Sequence, residues 1–206
     1  KKILISDYDG TIYQDDETTK NNIIAINNFR KKHVFAVATG RSYEDFKKAI
    51  DKFGIKCDYY ILNYGSQILD SKLKLLKSMP LEDSELDEIE EFFFKKECKL
   101  EYCNDLVNDK KREGNIYKVL VKYKDKNTLL RDFKQFTKKH NYNCYVLRHH
   151  DTIEIVNHDI DKSNAIDFVS RYAGVFDINV IGDSGSDLDM IKKYSGACIN
   201  NGNMEL

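Results

Sequence analysis

The sequence predicts an α/β fold in which a mainly parallel sheet is interrupted by an inserted α+β unit. Towards both ends of the chain, short apolar runs alternate with helix-period segments, as expected of strands buried on both faces. Between about residues 79 and 152 the order becomes helix-strand-strand-helix-strand-strand, which is typical of an antiparallel sheet with helices on one face. We therefore predict one discontinuous core, residues 1–78 and 153–206, and an inserted unit over residues 79–152.

The elements of the first core segment follow from apolar periodicity and from residues that start or stop helices. In order they are a strand at 3–5, a helix at 19–32, a strand at 34–38, a helix at 42–53, a strand at 59–62, and a hairpin of 67–69 with 73–77. Ser42 with Asp45 three residues later is a capping pattern for the second helix. Gly54 is a suitable stop for the same helix.

The pattern changes at Pro80, the only proline in the chain. The inserted unit is predicted as a helix at 82–96, strands at 99–103 and 116–123, a helix at 127–140, and strands at 143–147 and 152–156. The α/β pattern then resumes with a helix at 162–173, a strand at 179–181, a helix at 187–194 and a strand at 197–199.

Composition limits the classes of protein that the chain can represent. Its 206 residues are 41% hydrophobic and 33% charged, which is typical of a globular protein and not of a disordered one. A net charge of −1 argues against a bulk nucleic-acid binder, and no apolar run is long enough to span a bilayer. The five cysteines are widely spaced without a C-x-x-C pair, so we expect free thiols. We expect a cytoplasmic protein without nucleic-acid or membrane partners. The sequence does not specify the oligomeric state.

The strongest local motif is Asp7-Tyr8-Asp9-Gly10-Thr11, directly after a predicted buried strand. Two carboxylates at i and i+2 of an extended segment point the same way, at the end of a strand where open α/β sheets bind ligands. Such a pair repels itself unless a cation or a shared proton relieves it. The pattern favours a hard-metal site combined with a nucleophile. The alternative is a strand-ending turn in which Asp and Gly serve geometry alone.

Three further strand or helix ends carry polar residues that are weak signals one at a time. Thr39-Gly40 follows the second strand, where a hydroxyl and backbone N–H groups can bind phosphate oxygens. Lys162 begins a predicted helix, and a lone lysine is usually a solvated charge. Asp183 and Asp187 follow the strand at 179–181, where the alternative is a helix cap with a glycine-rich turn.

Together these four elements, in this order, resemble the motifs of the haloacid dehalogenase-like superfamily. The insertion after the third strand resembles the larger-cap subclass, which includes the Cof-type sugar phosphatases, sucrose-phosphate phosphatase and phosphomannomutase. The resemblance covers nearly the whole chain. It implies a Rossmann-like core with sheet order 3-2-1-4-5, in which Asp7 and Asp183 lie on neighbouring strands. It also implies that the inserted unit is a cap that selects the substrate.

The resemblance implies specific catalytic roles. Asp7 attacks phosphorus, and Asp9 protonates the leaving oxygen and then deprotonates the water that cleaves the aspartyl-phosphate. Thr39 and Lys162 bind the phosphoryl oxygens. Mg²⁺ is held by the Asp7 carboxylate, the Asp9 carbonyl oxygen and two further acids. These two acids are Asp183 and, directly or through water, Asp187.

The chain departs from the family pattern at a few positions. Ser186 replaces the asparagine that usually precedes the last motif aspartate, and Ser163 replaces the glycine that often follows the motif lysine. Both replacements are small and polar, so we expect tuning of activity and not its loss. Relatives usually continue with another helix and strand beyond the position of Leu206, after Asn201-Gly202-Asn203.

Substrate contacts are predicted less directly. The substrate-binding candidates in the core are Gly10, Thr39, Gly40, Arg41, Asn63 and Lys162. In the inserted unit the candidates are Arg148, His149 and His150, for which the alternative is a solvated turn. A metal site formed by the two histidines with His158 is a further alternative.

The resulting hypothesis is a Mg²⁺-dependent phosphatase that hydrolyses a small phosphorylated metabolite, a sugar phosphate, through an aspartyl-phosphate. Its partner is therefore a small-molecule phosphate ester. Two alternatives are kept open: a phosphomutase of the same superfamily, and a catalytically idle binding protein that retains the fold. The second alternative conflicts with the intact motif residues, because an idle site need not keep them.

Overall fold

The structure is a computed structural model that describes residues 1–147 and 149–199, and it divides into two compact units. Among the described residues, the first unit comprises Lys1–Arg41, Asp45–Ser78 and residues 161–199, and the second comprises Ser42–Glu44 and the described part of Met79–Ile160. The predicted candidate Arg148 and the segment Asn201-Gly202-Asn203 lie outside the described residues.

The helices and strands alternate in the order expected for an α/β chain with an α+β insertion. Up to the insertion the elements are β1 (Lys2–Ser6), α1 (Asp16–Arg30), β2 (Val34–Ala38), α2 (Tyr43–Phe53), β3 (Tyr59–Leu62), β4 (Gln67–Asp70) and β5 (Leu75–Ser78). The insertion contains α3 (Asp83–Phe93), β6 (Cys98–Cys103), β7 (Asn108–Asp109), β8 (Lys118–Tyr123), α4 (Lys126–Lys139), β9 (Asn143–Val146) and β10 (Thr152–Val156). The chain continues with α5 (Lys162–Ala173), β11 (Asp177–Gly182), α6 (Leu188–Tyr194) and β12 (Ala197–Cys198).

The sheet of the first unit has the order β12-β11-β1-β2-β3-β4-β5. Its first five strands pair in parallel, and β4 and β5 add an antiparallel hairpin at one edge. Counting only the parallel strands along the chain gives the order 3-2-1-4-5, so the predicted Rossmann-like core is confirmed. All five residues of β2 are buried, as the uniformly apolar sequence of that strand indicates. β1 lies between β2 and β11, which places the end of β1 beside the ends of both neighbours.

A local cap sets the start of helix α5. Asp161 precedes it in extended conformation, and its carboxylate accepts a hydrogen bond from the Asn164 backbone N–H at 2.7 Å. An aspartate cap satisfies one of the free N–H groups of the first turn. Lys162 is therefore the first residue of a well-defined helix, and Gly174, in left-handed conformation (φ 64°), ends it.

The second unit is built on an antiparallel sheet of order β7-β6-β8-β10-β9. Side chains of α3 and α4 form one buried cluster with alternate residues of β8 and β10, so both helices cover the same face of the sheet. This is the α+β architecture that the sequence predicts. The chain returns to the first unit at Asp161 and not at residue 153, because β10 pairs with β8 and β9 and so belongs to this sheet.

The cysteines and the helices relate to two expectations from the composition. All five cysteines are free thiols, as predicted. Among the described residues, no helix has the length and apolar character required to cross a membrane.

Candidate active site

The nucleophile candidate lies at the point where β1 and β11 end together. Asp7 follows β1, and its backbone N–H still donates to the Ile181 carbonyl oxygen at 2.9 Å, which continues the ladder between the two strands. Asp183 directly follows β11. The predicted neighbourhood of Asp7 and Asp183 therefore results from parallel pairing, which aligns the carboxyl ends of adjacent strands.

Three carboxylates converge at this edge of the sheet. Asp7, Asp183 and Asp187 each offer an oxygen, and these oxygens lie within 4.8 Å of one another. All three residues are buried: Asp7 is 5% exposed, and the other two are fully inaccessible. Over residues 1–147 and 149–199, no other group of three His, Cys, Asp or Glu side chains is placed to hold a metal ion.

Lys162 reaches into this cluster from the first turn of α5. Its Nζ donates to Asp7 Oδ1 at 2.7 Å and to Asp187 Oδ1 at 2.6 Å, and the side chain is 2% exposed. The lysine thus joins the first and last acidic motifs. This is the most informative single contact of the site, because a buried lysine is rare unless it is paired.

The charges of the cluster do not balance. One ammonium group faces three carboxylates, which leaves two negative charges in excess if all are ionised. Burial raises the pKa of Asp7 to about 7; Lys162 opposes this increase, whereas the charges of Asp187 and Asp183 add to it. Burial by itself would lower the pKa of Lys162, but Asp7 and Asp187 outweigh it and the pKa is raised. Lys162 therefore stays protonated, and the site favours an additional cation.

The donor set fits a hard divalent ion such as Mg²⁺, because it offers buried carboxylate oxygens and an excess of two negative charges. The three acids are not equally available. Asp183 Oδ1 accepts a hydrogen bond from the Thr11 hydroxyl at 3.1 Å. Asp187 Oδ2 accepts from the Asp183 N–H and from the N–H and hydroxyl of Ser184, at 2.9–3.2 Å. Asp187 therefore has room for an ion mainly at Oδ1, the oxygen that also accepts from Lys162.

Two glycines after strands β1 and β2 allow neighbouring side chains to approach the backbone closely. Gly10 has φ +86°, and a Cβ there would lie 2.2 Å from Asp183 Oδ2. A Cβ on Gly40 would lie 2.4 Å from the ring of Tyr64. Both glycines were predicted as substrate contacts. In the structure neither position has space for a side chain, which explains why glycine is present at each.

Asp9 lies outside the carboxylate cluster, and its partner is Arg41. The guanidinium donates from Nε to Asp9 Oδ2 at 2.8 Å and from Nη2 to Asp9 Oδ1 at 2.6 Å. The same guanidinium lies 4.8 Å from the centre of the Tyr8 ring. Sequence reasoning placed Arg41 among the substrate contacts and missed this pair. A signal was present, because the two residues follow adjacent strands, β1 and β2.

Thr39 and Asn63 are linked through the backbone of Arg41. The Arg41 N–H donates to the Thr39 hydroxyl oxygen at 3.1 Å, and its carbonyl accepts from the Asn63 N–H at 3.0 Å. Asn63 and Tyr64 both have left-handed backbone conformations, with φ of 49° and 61°. The Asn63 side-chain amide is buried and has no hydrogen-bond partner among the described residues. The structure thus gathers the predicted contacts Thr39, Arg41 and Asn63 at the ends of β2 and β3.

The second unit contains a buried ion pair that sequence reasoning missed. Lys118 Nζ donates to Glu154 Oε1 at 2.5 Å, and both side chains are nearly inaccessible. They alternate along β8 and β10 with residues that pack under the helices, so they lie on the other face of the sheet. The signal was a pair of opposite charges within two apolar strands.

The predicted histidine candidates do not form a cluster. His149 and His150 occupy the turn between β9 and β10, where the His150 N–H donates to the Leu147 carbonyl oxygen. His158 Nε2 lies 3.3 Å from Asp159 Oδ1. The described histidines therefore form no metal site, and the alternative of a turn at 149–150 is the one observed.

Solved structures share the whole architecture. A haloacid dehalogenase-like hydrolase from Bacteroides thetaiotaomicron matches with a TM-score of 0.79 at 16% identity, over 98% of this chain and 90% of that one. A haloacid dehalogenase-like hydrolase from B. subtilis matches with a TM-score of 0.78 at 15% identity, over 96% and 89%. A Synechocystis sucrose-phosphatase, solved with sucrose and phosphate, matches with a TM-score of 0.68 at 17% identity, over 98% and 84%. At these identities the likeness establishes the fold.

The fold and the motifs at its strand ends define the class as that of the haloacid dehalogenase-like phosphatases, which are phosphoric monoester hydrolases. The sucrose-6F-phosphate phosphohydrolase family matches residues 1–206. The chain therefore belongs to the sucrose-6F-phosphate phosphohydrolase family. An uncharacterized protein of Mycoplasma capricolum is 30% identical over 81 residues, which cover 36% of this chain and 31% of that protein, so the match spans about a third of the relative's length.

Proposed function

We propose that the chain is a Mg²⁺-dependent phosphatase that hydrolyses a sugar phosphate through an aspartyl-phosphate on Asp7. The observation that carries the proposal is the buried Lys162, which bridges Asp7 and Asp187 inside the carboxylate cluster. Phosphoryl transfer depends on positioning and on neutralisation of charge. A carboxylate nucleophile held by a buried ammonium group, with negative charge left over for a divalent cation, provides both.

The metal would be held by the Asp7 carboxylate, the Asp9 carbonyl oxygen and Asp183, with Asp187 contributing directly or through water. When bound, Mg²⁺ supplies the charge neutralisation that lets two anions, the nucleophile and the phosphoryl group, approach each other. The excess of two negative charges in the buried cluster supports a dication at this place.

The chain's own residues account for the remaining chemistry. An Asp7 carboxylate oxygen forms a bond to phosphorus while the bond from phosphorus to the leaving oxygen breaks, and Asp9 gives that oxygen a proton. Thr39 and Lys162 bind the phosphoryl oxygens during this step. A water molecule then attacks phosphorus, Asp9 accepts its proton, the bond between Asp7 and phosphorus breaks, and inorganic phosphate leaves.

The sugar-phosphate assignment rests on the family and on one neighbour. The family is described by its action on sucrose 6F-phosphate, and the Synechocystis neighbour was solved with sucrose and phosphate. Sucrose 6-phosphate is therefore the first physiological substrate to test. Selection of the leaving group by the inserted unit and a cytoplasmic location stay predictions.

The experiment is phosphate release from p-nitrophenyl phosphate and from sucrose 6-phosphate, with Mg²⁺ or with EDTA. Asp7→Asn is compared with wild type, and Asp177→Asn is the control, because the exposed Asp177 carboxylate contacts Lys2 and the Asn179 side chain and lies outside the carboxylate cluster. We expect release that requires Mg²⁺, is lost in Asp7→Asn and persists in Asp177→Asn. Near-normal turnover in Asp7→Asn would contradict the mechanism.

The two alternatives are distinguished when a hexose 1-phosphate is added to the substrates tested. A mutase would convert a hexose 1-phosphate to the 6-phosphate without releasing phosphate, and that outcome would replace the hydrolase assignment. An idle binding protein would release no phosphate from any ester, with or without Mg²⁺.

A further inference from the structure

The pairing of Arg41 with Asp9 occupies the acid that the proposed mechanism needs. Both carboxylate oxygens of Asp9 accept from the guanidinium, one from Nε and one from Nη2. Each of these oxygens keeps a second lone pair, but the two-pronged contact fixes the orientation of the Asp9 carboxylate towards Arg41, so Asp9 cannot turn to a leaving oxygen while both bonds are made. The observed arrangement is therefore a resting one, and a productive site requires the pair to open.

The surroundings of Arg41 allow its side chain to move while its backbone stays fixed. The backbone N–H is bound to the Thr39 hydroxyl oxygen and the carbonyl to the Asn63 N–H. The guanidinium rests on the Tyr8 ring, which is 1% exposed and is itself held by the rings of Tyr13 and Phe46. A flat aromatic face binds a guanidinium without fixing its rotation. The side chain can therefore change partners without losing this contact.

The pair is weak enough to be exchanged. The Arg41 side chain is 31% exposed and that of Asp9 48%, so solvent screens their attraction. A phosphoryl group carries more negative charge than a carboxylate and also accepts two parallel hydrogen bonds from a guanidinium. Thr39, which the proposed function assigns to phosphoryl binding, is two residues from Arg41 and bonded to it. A substrate phosphoryl group that is hydrogen-bonded to Thr39 would thus compete with Asp9 for the guanidinium.

We propose, resting on the proposed function, that Arg41 is a positioning residue that exchanges partners. It holds Asp9 when the site is empty, moves to the phosphoryl oxygens when substrate arrives, and so releases Asp9 only when a phosphoryl group is present. Binding of the phosphoryl group thereby makes Asp9 available as the acid and base of the reaction.

The test is a double-mutant cycle on binding and does not depend on turnover. The dissociation constant of inorganic phosphate, with Mg²⁺ present, is measured by calorimetry for wild type, Asp9→Asn, Arg41→Gln and the double variant. Partner exchange predicts that Asp9→Asn binds phosphate about five-fold more tightly, because the competitor for the guanidinium is gone. It also predicts that this gain disappears when Arg41 is already glutamine, since coupled residues are not additive.

Several outcomes separate exchange from simpler effects. An equal gain from Asp9→Asn in both backgrounds would reflect removal of a negative charge alone and would overturn the proposal. Weaker phosphate binding in Asp9→Asn would overturn it as well. Arg41→Lys keeps the charge but not the two-pronged geometry, and we expect it to retain part of the coupling. It also provides a second variant at this position in case Arg41→Gln does not fold.

A matched control exists within the same unit. Arg30 binds Asp58 with the same two nitrogens, at 3.2 and 2.9 Å. Asp58→Asn is expected to leave phosphate affinity unchanged. If wild type hydrolyses p-nitrophenyl phosphate and the cycle shows no coupling, the exchange is wrong and the phosphatase stands. If wild type neither binds phosphate nor turns over, both proposals fall.

Discussion

Replacement of Lys162 by methionine perturbs the centre of the carboxylate cluster with little change in volume. The substitution removes the only ammonium group that contacts Asp7 and Asp187 among the described residues. Both carboxylates stay buried, at 5% exposure or less, so water cannot replace the lost partner. The variant should therefore be less stable than wild type, and by more than a surface charge would cost.

The size of the effect follows from burial. Breaking a buried ion pair costs about 3–5 kcal/mol, because a charge is left without compensation. For a chain of this length that corresponds to a melting temperature lower by about 10 °C. Lys193 is the matched control: its pair with Asp167 is roughly 40% exposed on both sides. Lys193→Met should cost no more than about 1 kcal/mol.

Thermal and denaturant unfolding of both variants, in EDTA and in Mg²⁺, measure the difference. We expect a large loss for Lys162→Met in EDTA that becomes smaller in Mg²⁺, because the cation neutralises the same carboxylates. Equal stability of Lys162→Met and Lys193→Met in EDTA would refute the electrostatic description of the cluster.

Further predictions concern pH, a glycine and the metal. Because the pKa of Asp7 is raised to about 7, the folded state holds more protons than the unfolded state between about pH 4 and 7, and Asp7 lowers stability as pH rises through that window. Asp7→Asn should therefore stabilise the metal-free protein more at about pH 8 than at about pH 4, measured by denaturant midpoints; the reverse order would contradict the shift. Gly10→Ala should abolish turnover, because the added methyl group would clash with Asp183. Gly54 has φ +66° and no atom within 4 Å of an added Cβ, so Gly54→Ala should lower stability and keep turnover. An active Gly10→Ala variant would be inconsistent with this geometry. EDTA should abolish turnover, and Mg²⁺ but not Ca²⁺ should restore it, because Ca²⁺ takes a larger and looser shell; activity in EDTA would remove the metal from the mechanism.

The core and most of the site were predictable because they depend on local patterns and on one rule of parallel sheets. Asp7, Thr39 and Asp183 each follow an apolar strand, and the carboxyl ends of neighbouring parallel strands meet at one edge. Lys162 follows an aspartate that caps its helix. Sequence periodicity predicts where the strands are, and the order of the motifs along the chain predicts the order of the strands in the sheet.

The features that were missed depend on pairing between distant segments. The strand Thr152–Val156 was recognised, but alternation does not say which sheet a strand joins, so the predicted return to the core at residue 153 preceded the observed one at Asp161. The pair of Lys118 with Glu154 requires the register of β8 against β10. Arg41 was predicted to contact the substrate, whereas in the structure its guanidinium pairs with Asp9.

The central claim is that Asp7 becomes phosphorylated, and Asp9→Asn offers the most direct measurement. p-Nitrophenolate leaves without a proton, so the first step should survive in this variant, whereas the second step lacks its base and should stall. We predict a burst of one p-nitrophenolate per protein molecule, with a phosphoryl group located on Asp7 by mass spectrometry of acid-quenched peptides. A burst without phosphorylated Asp7, or a phosphoryl group on another residue, would contradict the account.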